Sequence, residues 1–350
     1  MALQQIRIFA ALLALLSPAL LWAGPAEDAL DEGLKLHEAG KLKEAIQHYD
    51  RAIRLNPRLT EAYYNRGNAY YDLGQNDRAV KEYGEVIRHS PNDAEAYYNR
   101  GNAHRRLGQH ERALKDYTAA IRFSPEEAEF YVNRGSVYFK LGQYDAAVRD
   151  YDDAIRLNPK DPEAYYNRAN AHLRIGNKER AIEDYNDAIR LNPKLVDAYY
   201  NRGIAYAELS RYERAVQDYT VVLSSNPKSA EAYYNRGLAH FRLGQRQQAL
   251  QDFDEAIRLN PKDPEAYYNR GLVYGEIGQH ERAARDYTEA ILLNPRNAEA
   301  YGRRGLVRLY QGRQEDAEAD FKKAYQLDAA LKKKLEPLIN EAKQKGAAKP

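Results

Sequence analysis

Glu61-Ala62-Tyr63-Tyr64-Asn65-Arg66-Gly67 returns, with at most one change, from Glu95, Glu163, Glu231 and Glu265, always at a multiple of 34 residues. Looser copies fill the gaps: Glu129-Phe130-Tyr131-Val132-Asn133-Arg134-Gly135, Asp197-Ala198-Tyr199-Tyr200-Asn201-Arg202-Gly203 and Glu299-Ala300-Tyr301-Gly302-Arg303-Arg304-Gly305. No insertion breaks the register. A fixed period in this range means supersecondary units that bury their apolar faces only by stacking on neighbours. One continuous array is therefore expected, although 350 residues could hold two or three ordinary domains.

Around that stretch the chain divides into nine blocks of 34: 26–59, 60–93, 94–127, 128–161, 162–195, 196–229, 230–263, 264–297 and 298–331. Each block reads as two helices. The first opens on cap chemistry such as Asp161-Pro162-Glu163 and Asp263-Pro264-Glu265, where Asp accepts from free N–H groups and Pro suits the first helical position. It closes near a glycine (Gly40, Gly74, Gly108, Gly142, Gly176, Gly244, Gly278, Gly312), with Ser210 as the exception. The second helix stops at Asn-Pro or Ser-Pro, as at Asn56-Pro57, Ser90-Pro91 and Asn260-Pro261. Tyr63, Gly67, Tyr70 and Leu73, at block positions 4, 8, 11 and 14, form one helical stripe. Ala79, Tyr83, Val86 and Ile87, at positions 20, 24, 27 and 28, match it on the second helix. Small residues at positions 8 and 20 let the two helices approach while aromatics fill the seam.

These positions resemble the tetratricopeptide repeat family. Its aromatic, Gly, Tyr, Ala, aromatic, Ala, Pro set stands here as Tyr233, Gly237, His240, Ala249, Phe253, Ala256 and Pro261. The resemblance spans about 306 of the 350 residues and implies an all-α, right-handed superhelical solenoid. It is highly specific for fold and weak for function, because such arrays serve many roles. The end blocks depart from the pattern, as capping repeats do. Ala29 and Asp31 stand where Tyr and Asn recur, Gly302 and Arg303 interrupt block nine, and the closing Pro is missing there. Ala169 replaces the helix-packing glycine of block five. Leu335, Leu338, Ile339 and Ala342 predict a capping helix over 332–345, started or kinked at Pro337, with a basic tail at 346–350.

Residues 1–23 read as a secretory signal peptide: Arg7, an apolar run from Ile8 to Leu16, the breaker Ser17-Pro18, and cleavage after Ala23. An uncleaved membrane anchor is the minority reading, since the run falls short of the ~20 residues that a span needs. Export to a periplasm or beyond the cell is expected, with no membrane span after cleavage. Net charge is +2, of which residues 321–350 carry +5 and Arg7 +1, leaving about −4 for the repeats. That balance gives no footprint for nucleic acid. Cys is absent, so disulfides and thiolate metal sites are excluded.

Position 7, usually aliphatic in the family, is Arg66, Arg100, Arg134, Arg168, Arg202, Arg236, Arg270 and Arg304. A buried guanidinium needs a partner. Position 23 offers Glu82, Asp116, Asp150, Asp184, Asp218, Asp252, Asp286 and Asp320 at the matching helical offset, so one Arg–carboxylate pair per repeat is predicted.

The opposite stripe of the first helix lines, by resemblance, the concave groove of the superhelix. It carries Asn65, Asn99, Asn133, Asn167, Asn201, Asn235 and Asn269 at position 6. A row of amides can satisfy the backbone of an extended peptide without reading its sequence. The row is similar to the asparagine ladders of O-linked N-acetylglucosamine transferase and importin alpha. The bland alternative is that the amides bond neighbouring helices. Position 9 changes along the chain, from Asn68, Asn102, Ser136 and Asn170 to Ile204, Leu238, Leu272 and Leu306. Arg105, Arg106, Lys140 and Arg174 add a basic patch to the polar half, while Phe241 and Leu309 enlarge the apolar half. A partner segment with an acidic part and a hydrophobic part would suit both.

The eight histidines are scattered, and His104, His172 and His240 occupy an aromatic core position. No HExxH, P-loop or nucleophile elbow is present, and every carboxylate recurs with the repeat. No enzyme, cofactor or metal is therefore expected. The expected function is a scaffold or adaptor that holds an extended or helical segment of a partner protein in the groove. The alternative is a polyanion or nucleic-acid binder acting through the basic patch and the Lys-rich tail.

Overall fold

The computed structural model describes residues 24–347; the predicted leader at 1–23 and the last residues of the tail lie outside them. Among the described residues the chain is entirely helical, with nineteen helices joined by short turns. No helix among them is long and apolar enough to cross a membrane.

The chain forms two compact units, dividing after Leu157. In the first, four helical hairpins follow one another: α1 (Pro25–Glu38) with α2 (Leu42–Leu55), α3 (Thr60–Asp72) with α4 (Asn76–His89), α5 (Ala94–Arg106) with α6 (His110–Phe123), and α7 (Ala128–Lys140) with α8 (Tyr144–Leu157). In the second there are five: α9 (Pro162–Ile175) with α10 (Lys178–Leu191), α11 (Val196–Glu208) with α12 (Tyr212–Ser225), α13 (Ala230–Arg242) with α14 (Arg246–Leu259), α15 (Pro264–Glu276) with α16 (His280–Leu293), and α17 (Ala298–Tyr310) with α18 (Gln314–Leu327). Helix α19 (Leu331–Ala347) closes the second unit, with Pro337 inside it.

The local signals act as their chemistry requires. Asp161 and Asp263 accept from the amides of Glu163 and Glu265 at 2.9 and 3.0 Å, ahead of a proline in the first turn. The glycines that end the first helices take φ from 72 to 93°, and Ser210 stands in the same left-handed region at φ 57°. An L side chain there costs about 1–2 kcal/mol. At position 8 the close approach is real: a Cβ on Gly67 would lie 2.8 Å from Tyr83 Cε1, and one on Gly203 2.8 Å from Tyr219 Cε1.

The core differs in emphasis from the predicted stripe. Tyr83 and Val86 are fully buried as expected, but on the first helix the fully buried side chains are Ala62 and Ala69, while Tyr63 and Tyr70 are half-buried. Ala62 and Ala69 pack on Ala45, Tyr49 and Ala52 of the preceding hairpin. Alanine serves there because two backbones meet, and a larger side chain would force them apart.

Within each unit the first helix of a hairpin packs most on its own second helix and next on the second helix of the hairpin before it. Helix α19 breaks that rule by packing mainly on α17. Its Leu335 fills the space left by Gly302, where a Cβ would lie 2.7 Å from Leu335 Cδ1. Leu331, Leu335 and Ala342 are buried, and Leu306 and Leu309 are covered beneath them. Leu309 therefore belongs to the core under α19 and does not enlarge the groove.

Candidate functional site

The site rests on a frame of ion pairs. Seven of the predicted arginines meet their aspartates bidentately, Nε donating to one carboxylate oxygen at 2.8–2.9 Å and Nη2 to the other at 2.6–2.7 Å. Arg66 instead places both nitrogens on Glu82 Oε2, at 3.1 and 2.6 Å. The third nitrogen reaches back to the preceding hairpin: Arg66 Nη1 donates to Asp50 at 2.6 Å, Arg202 to Asn186 at 2.6 Å, Arg236 to Thr220 at 3.1 Å. Each of these guanidiniums thus ties three helices. Burial raises the carboxyls of Asp150, Asp218 and Asp286 above the usual range even though their arginines pull the other way. Burial also works against charge on Arg134, Arg202 and Arg270, yet their hydrogen bonds to aspartate hold them above the ordinary value. Desolvation on this scale makes such pairs better at fixing register than at adding net stability.

His104, His172 and His240 sit beside the same aspartates, with Nε2 3.7–3.9 Å from a carboxylate oxygen of Asp116, Asp184 and Asp252. They are packed rather than presented: His104 and His172 are buried. Among the described residues no cluster of His, Asp and Glu is placed to hold a metal ion.

The asparagine row is held from within. Nδ2 of Asn99, Asn133, Asn201, Asn235 and Asn269 donates to the hydroxyl of Tyr64, Tyr98, Tyr166, Tyr200 and Tyr234 of the preceding repeat, at 2.7–3.1 Å. Asn65 donates to its own helix at Glu61 O, 2.8 Å away. Asn167 is half-buried on α9. Position 9 of the polar half is tied as well: Tyr83, Tyr117 and Tyr185 donate to Asn68, Asn102 and Asn170 at 2.6–2.7 Å. One amide N–H of each of these five asparagines is taken by a tyrosine hydroxyl, so fewer donors are left for a guest backbone. The position-5 tyrosines that accept these bonds are the residues missed in the sequence. Their recurrence beside Asn at a spacing of 35 was the available signal.

Burial and the nearby carboxylates Glu95 and Asp93 push the Tyr64 hydroxyl up to about 12, against the lowering effect of the bonds from Asn99 and Asn68. The same pattern pushes Tyr234 to about 12, with Glu265 and Asp263 in the carboxylate role. These hydroxyls keep their protons throughout the ordinary pH range. Glu95 itself is raised by desolvation and by Glu127, Glu129 and Asp93.

The basic patch is partly committed too. Arg106 stacks over Tyr71, 3.6 Å from the ring centroid, and donates to Tyr71 O at 3.1 Å. Arg105 lies against the Tyr117 hydroxyl, on which its charge and hydrogen bond act. Lys140 is exposed in the first unit, and Arg174 is exposed in the second.

The apolar half makes open concavities. Ile204, Ala207, Tyr212, Tyr219, Leu238 and Arg242 line a cavity of about 320 Å³. Next to it, Leu238, Phe241, Leu272, Leu306, Tyr310 and Leu338 line one of about 460 Å³, rimmed by Arg242, Glu276 and Arg303. Ile204, Leu238, Phe241 and Leu272 are brought together as the apolar wall, all half-buried. Leu338 and Tyr310 went unrecognised, because α19 brings its Leu338 back onto the face of α17 and no repeat pattern announces that.

The comparisons with known proteins agree on the architecture. Models described as "TPR repeat" match residues 33–74, 67–108, 101–142 and 135–176. Others described as "Tetratricopeptide repeat" match 200–264 and 234–276, 162–195 and 264–297, and 298–331. Comparison with curated proteins gave no match. Among solved structures, the C-terminal part of a TPR repeat-containing protein from Cytophaga hutchinsonii superposes with a TM-score of 0.60 at 18% identity, covering 69% of this chain and 98% of the other. A tetratricopeptide repeat protein from Parabacteroides merdae gives 0.51 at 23% identity, covering 71% and 98%. YrrB, described as a TPR protein with an unusual peptide-binding site, gives 0.50 at 24% identity, covering 53% and 96%. With family matches running through both units over helical hairpins of 34 residues, the chain belongs to the tetratricopeptide repeat family.

Proposed function

We propose that this chain is a protein-interaction scaffold that holds a segment of another protein against its first helices and works by binding rather than catalysis. One observation carries the reading. At position 9 the repeats that follow Asn170 in the second unit exchange internally bonded asparagine for Ile204, Leu238 and Leu272, and these leave apolar cavities of about 320 and 460 Å³ open to solvent. Half-exposed leucines cost stability unless something covers them, so contiguous apolar concavities mark docking surfaces. The recurrence of the carboxylates with the repeat supports a structural and not a catalytic use for them.

The test is a pull-down from envelope extract with three proteins: wild type, Leu238→Lys/Leu272→Lys, and Asn133→Ala/Asn167→Ala/Asn201→Ala. The partner is lost from the leucine variant and retained by the asparagine variant at reduced protein stability. A partner held equally by wild type and the leucine variant would remove the docking wall.

Export remains part of the proposal, supported by the apolar run from Ile8 to Leu16 and the small residue Ala23. N-terminal sequencing of the mature protein should begin at Gly24. A chain that keeps Met1 would overturn it.

A further inference from the structure

The chain contains a worked example of what this wall does with a helix. Helix α19 covers Gly302, Leu306 and Leu309 of α17, which are positions 5, 9 and 12 of their block. The same positions are Tyr234, Leu238 and Phe241 on α13, and Tyr268, Leu272 and Gly275 on α15. Leu306 and Leu309 are each 7% exposed beneath α19, whereas Leu238, Phe241 and Leu272 are half-buried and face the 460 Å³ cavity. Leu338 of α19 forms one wall of that cavity and is itself 36% exposed. Positions 9 and 12 of that surface return without a helix over them as Leu238 and Phe241 on α13, and position 9 returns as Leu272 on α15, while tyrosine replaces Gly302 at position 5 in both.

We propose that Leu238, Phe241 and Leu272 receive one face of an amphipathic helix of a partner protein, lying beside α19, with leucine-type residues in the cavity and an acidic residue against Arg242. This rests on the reading of the second unit's groove as a docking surface and names its guest. Three observations select that guest. A cavity of this volume takes several aliphatic side chains. The rim is short of negative charge: Arg242 is exposed and borders both cavities, Arg303 adds a second guanidinium, and the carboxylates of Glu276 and Glu208 are engaged by Arg246 and Lys178 at 3.1 and 2.9 Å. Finally, the wall offers an extended chain few donors, since Asn269 Nδ2 donates to both Tyr234 and Glu265 O, at 3.0 and 2.8 Å, and Asn235 Nδ2 gives one of its two N–H groups to Tyr200 at 3.0 Å. A helix satisfies its own backbone and needs none.

Fluorescence anisotropy on the full chain tests this, with a labelled alanine-based helical peptide bearing Leu at i, i+3 and i+7 and Glu at i+4. Controls are the same peptide with Lys at i+4 and one of equal composition broken by two central prolines. The Leu/Glu helix binds, and exchanging its Glu for Lys weakens binding about tenfold. Arg242→Glu, with helix content checked by circular dichroism, reverses that preference, which a purely structural role for Arg242 does not. Failure of the Leu/Glu helix to bind, equal binding of the Lys peptide, or equal binding of the proline peptide overturns the proposal. If the Leu238→Lys/Leu272→Lys variant still loses its cellular partner in that event, the docking surface stands and the named guest falls. If it does not, both fall.

Discussion

The two units share a register, a frame of Arg–Asp pairs and a row of Asn–Tyr bonds, yet their first-helix faces differ in what they leave for a guest. In the first unit Asn68 and Asn102 accept from Tyr83 and Tyr117, each at 2.7 Å, so the polar side chains satisfy one another. In the second, Asn170 still accepts from Tyr185 at 2.6 Å, but further along Leu238 stands near Phe253, where neither member has a hydrogen bond to offer, and Leu272 stands near Tyr287, which lines the large cavity. Position 9 can therefore change its chemistry without disturbing the hairpin, because the frame lies on the opposite side of the helix. Stability is carried by the conserved geometry of positions 3, 7, 8, 10 and 24, and binding chemistry is free to vary at position 9.

The sharpest way to break this comparison is to attack the shared frame in both units. Asp150→Ala and Asp218→Ala should each destabilise by about 3 kcal/mol in urea unfolding, since each leaves a buried guanidinium unpaired. The Asn versions should cost less. A clear difference between the two units would mean that the frame is not the common element.

Converting one face into the other comes next. Asn102→Leu makes the first unit resemble the second and strips the buried Tyr117 hydroxyl of its acceptor, which should cost about 1–3 kcal/mol. Leu238→Asn makes the reverse change opposite a phenylalanine. It should alter stability by less than about 1 kcal/mol while abolishing binding of the leucine-bearing helix. Equal thermal shifts for the two variants would show that position 9 is not where the units diverge.

A smaller effect tests the inter-repeat bond, which the units share. Asn133→Ala and Asn235→Ala each remove one half-buried bond to a tyrosine hydroxyl and should lower stability by about 0.5–1 kcal/mol alike. The smallest effect is electrostatic. Glu95 is raised above the ordinary carboxylate range by desolvation and by Glu127, Glu129 and Asp93. The folded chain therefore binds that proton more readily than the unfolded one, and the group's contribution is fully present below the unfolded value and lost as pH rises through the folded one. Glu95→Gln should raise stability slightly near pH 7, by no more than ~0.5 kcal/mol at so exposed a position, and leave it unchanged near pH 3.5. A gain that persists at pH 3.5 would point to packing instead of charge.

Much of this molecule is legible before any coordinates. Period, hairpin boundaries, caps and the left-handed turn residues follow from local rules that act within about one helical turn. The partners Arg202 and Asp218 could be paired from the sequence because one repeat spacing and one helical offset fix which faces meet. The destination of the asparagines could not, since an amide that both donates and accepts suits a guest backbone and a neighbour's hydroxyl equally well. Only the stacking distance between first helices decided that Asn235 reaches Tyr200.

The sequence by itself determined that this chain builds stacked helical hairpins, which residues pair across them, and that the groove-facing position changes from amide to aliphatic along the chain. Tertiary structure alone decided that most of the amides in the row are held by tyrosines, that Leu309 lies in the core, and that Leu338 returns to wall a cavity. The physical reason is range. Repeat spacing transmits helix contacts from one block to the next, whereas the course of α19 depends on the single absence of a side chain at Gly302 and on apolar surface that no period encodes.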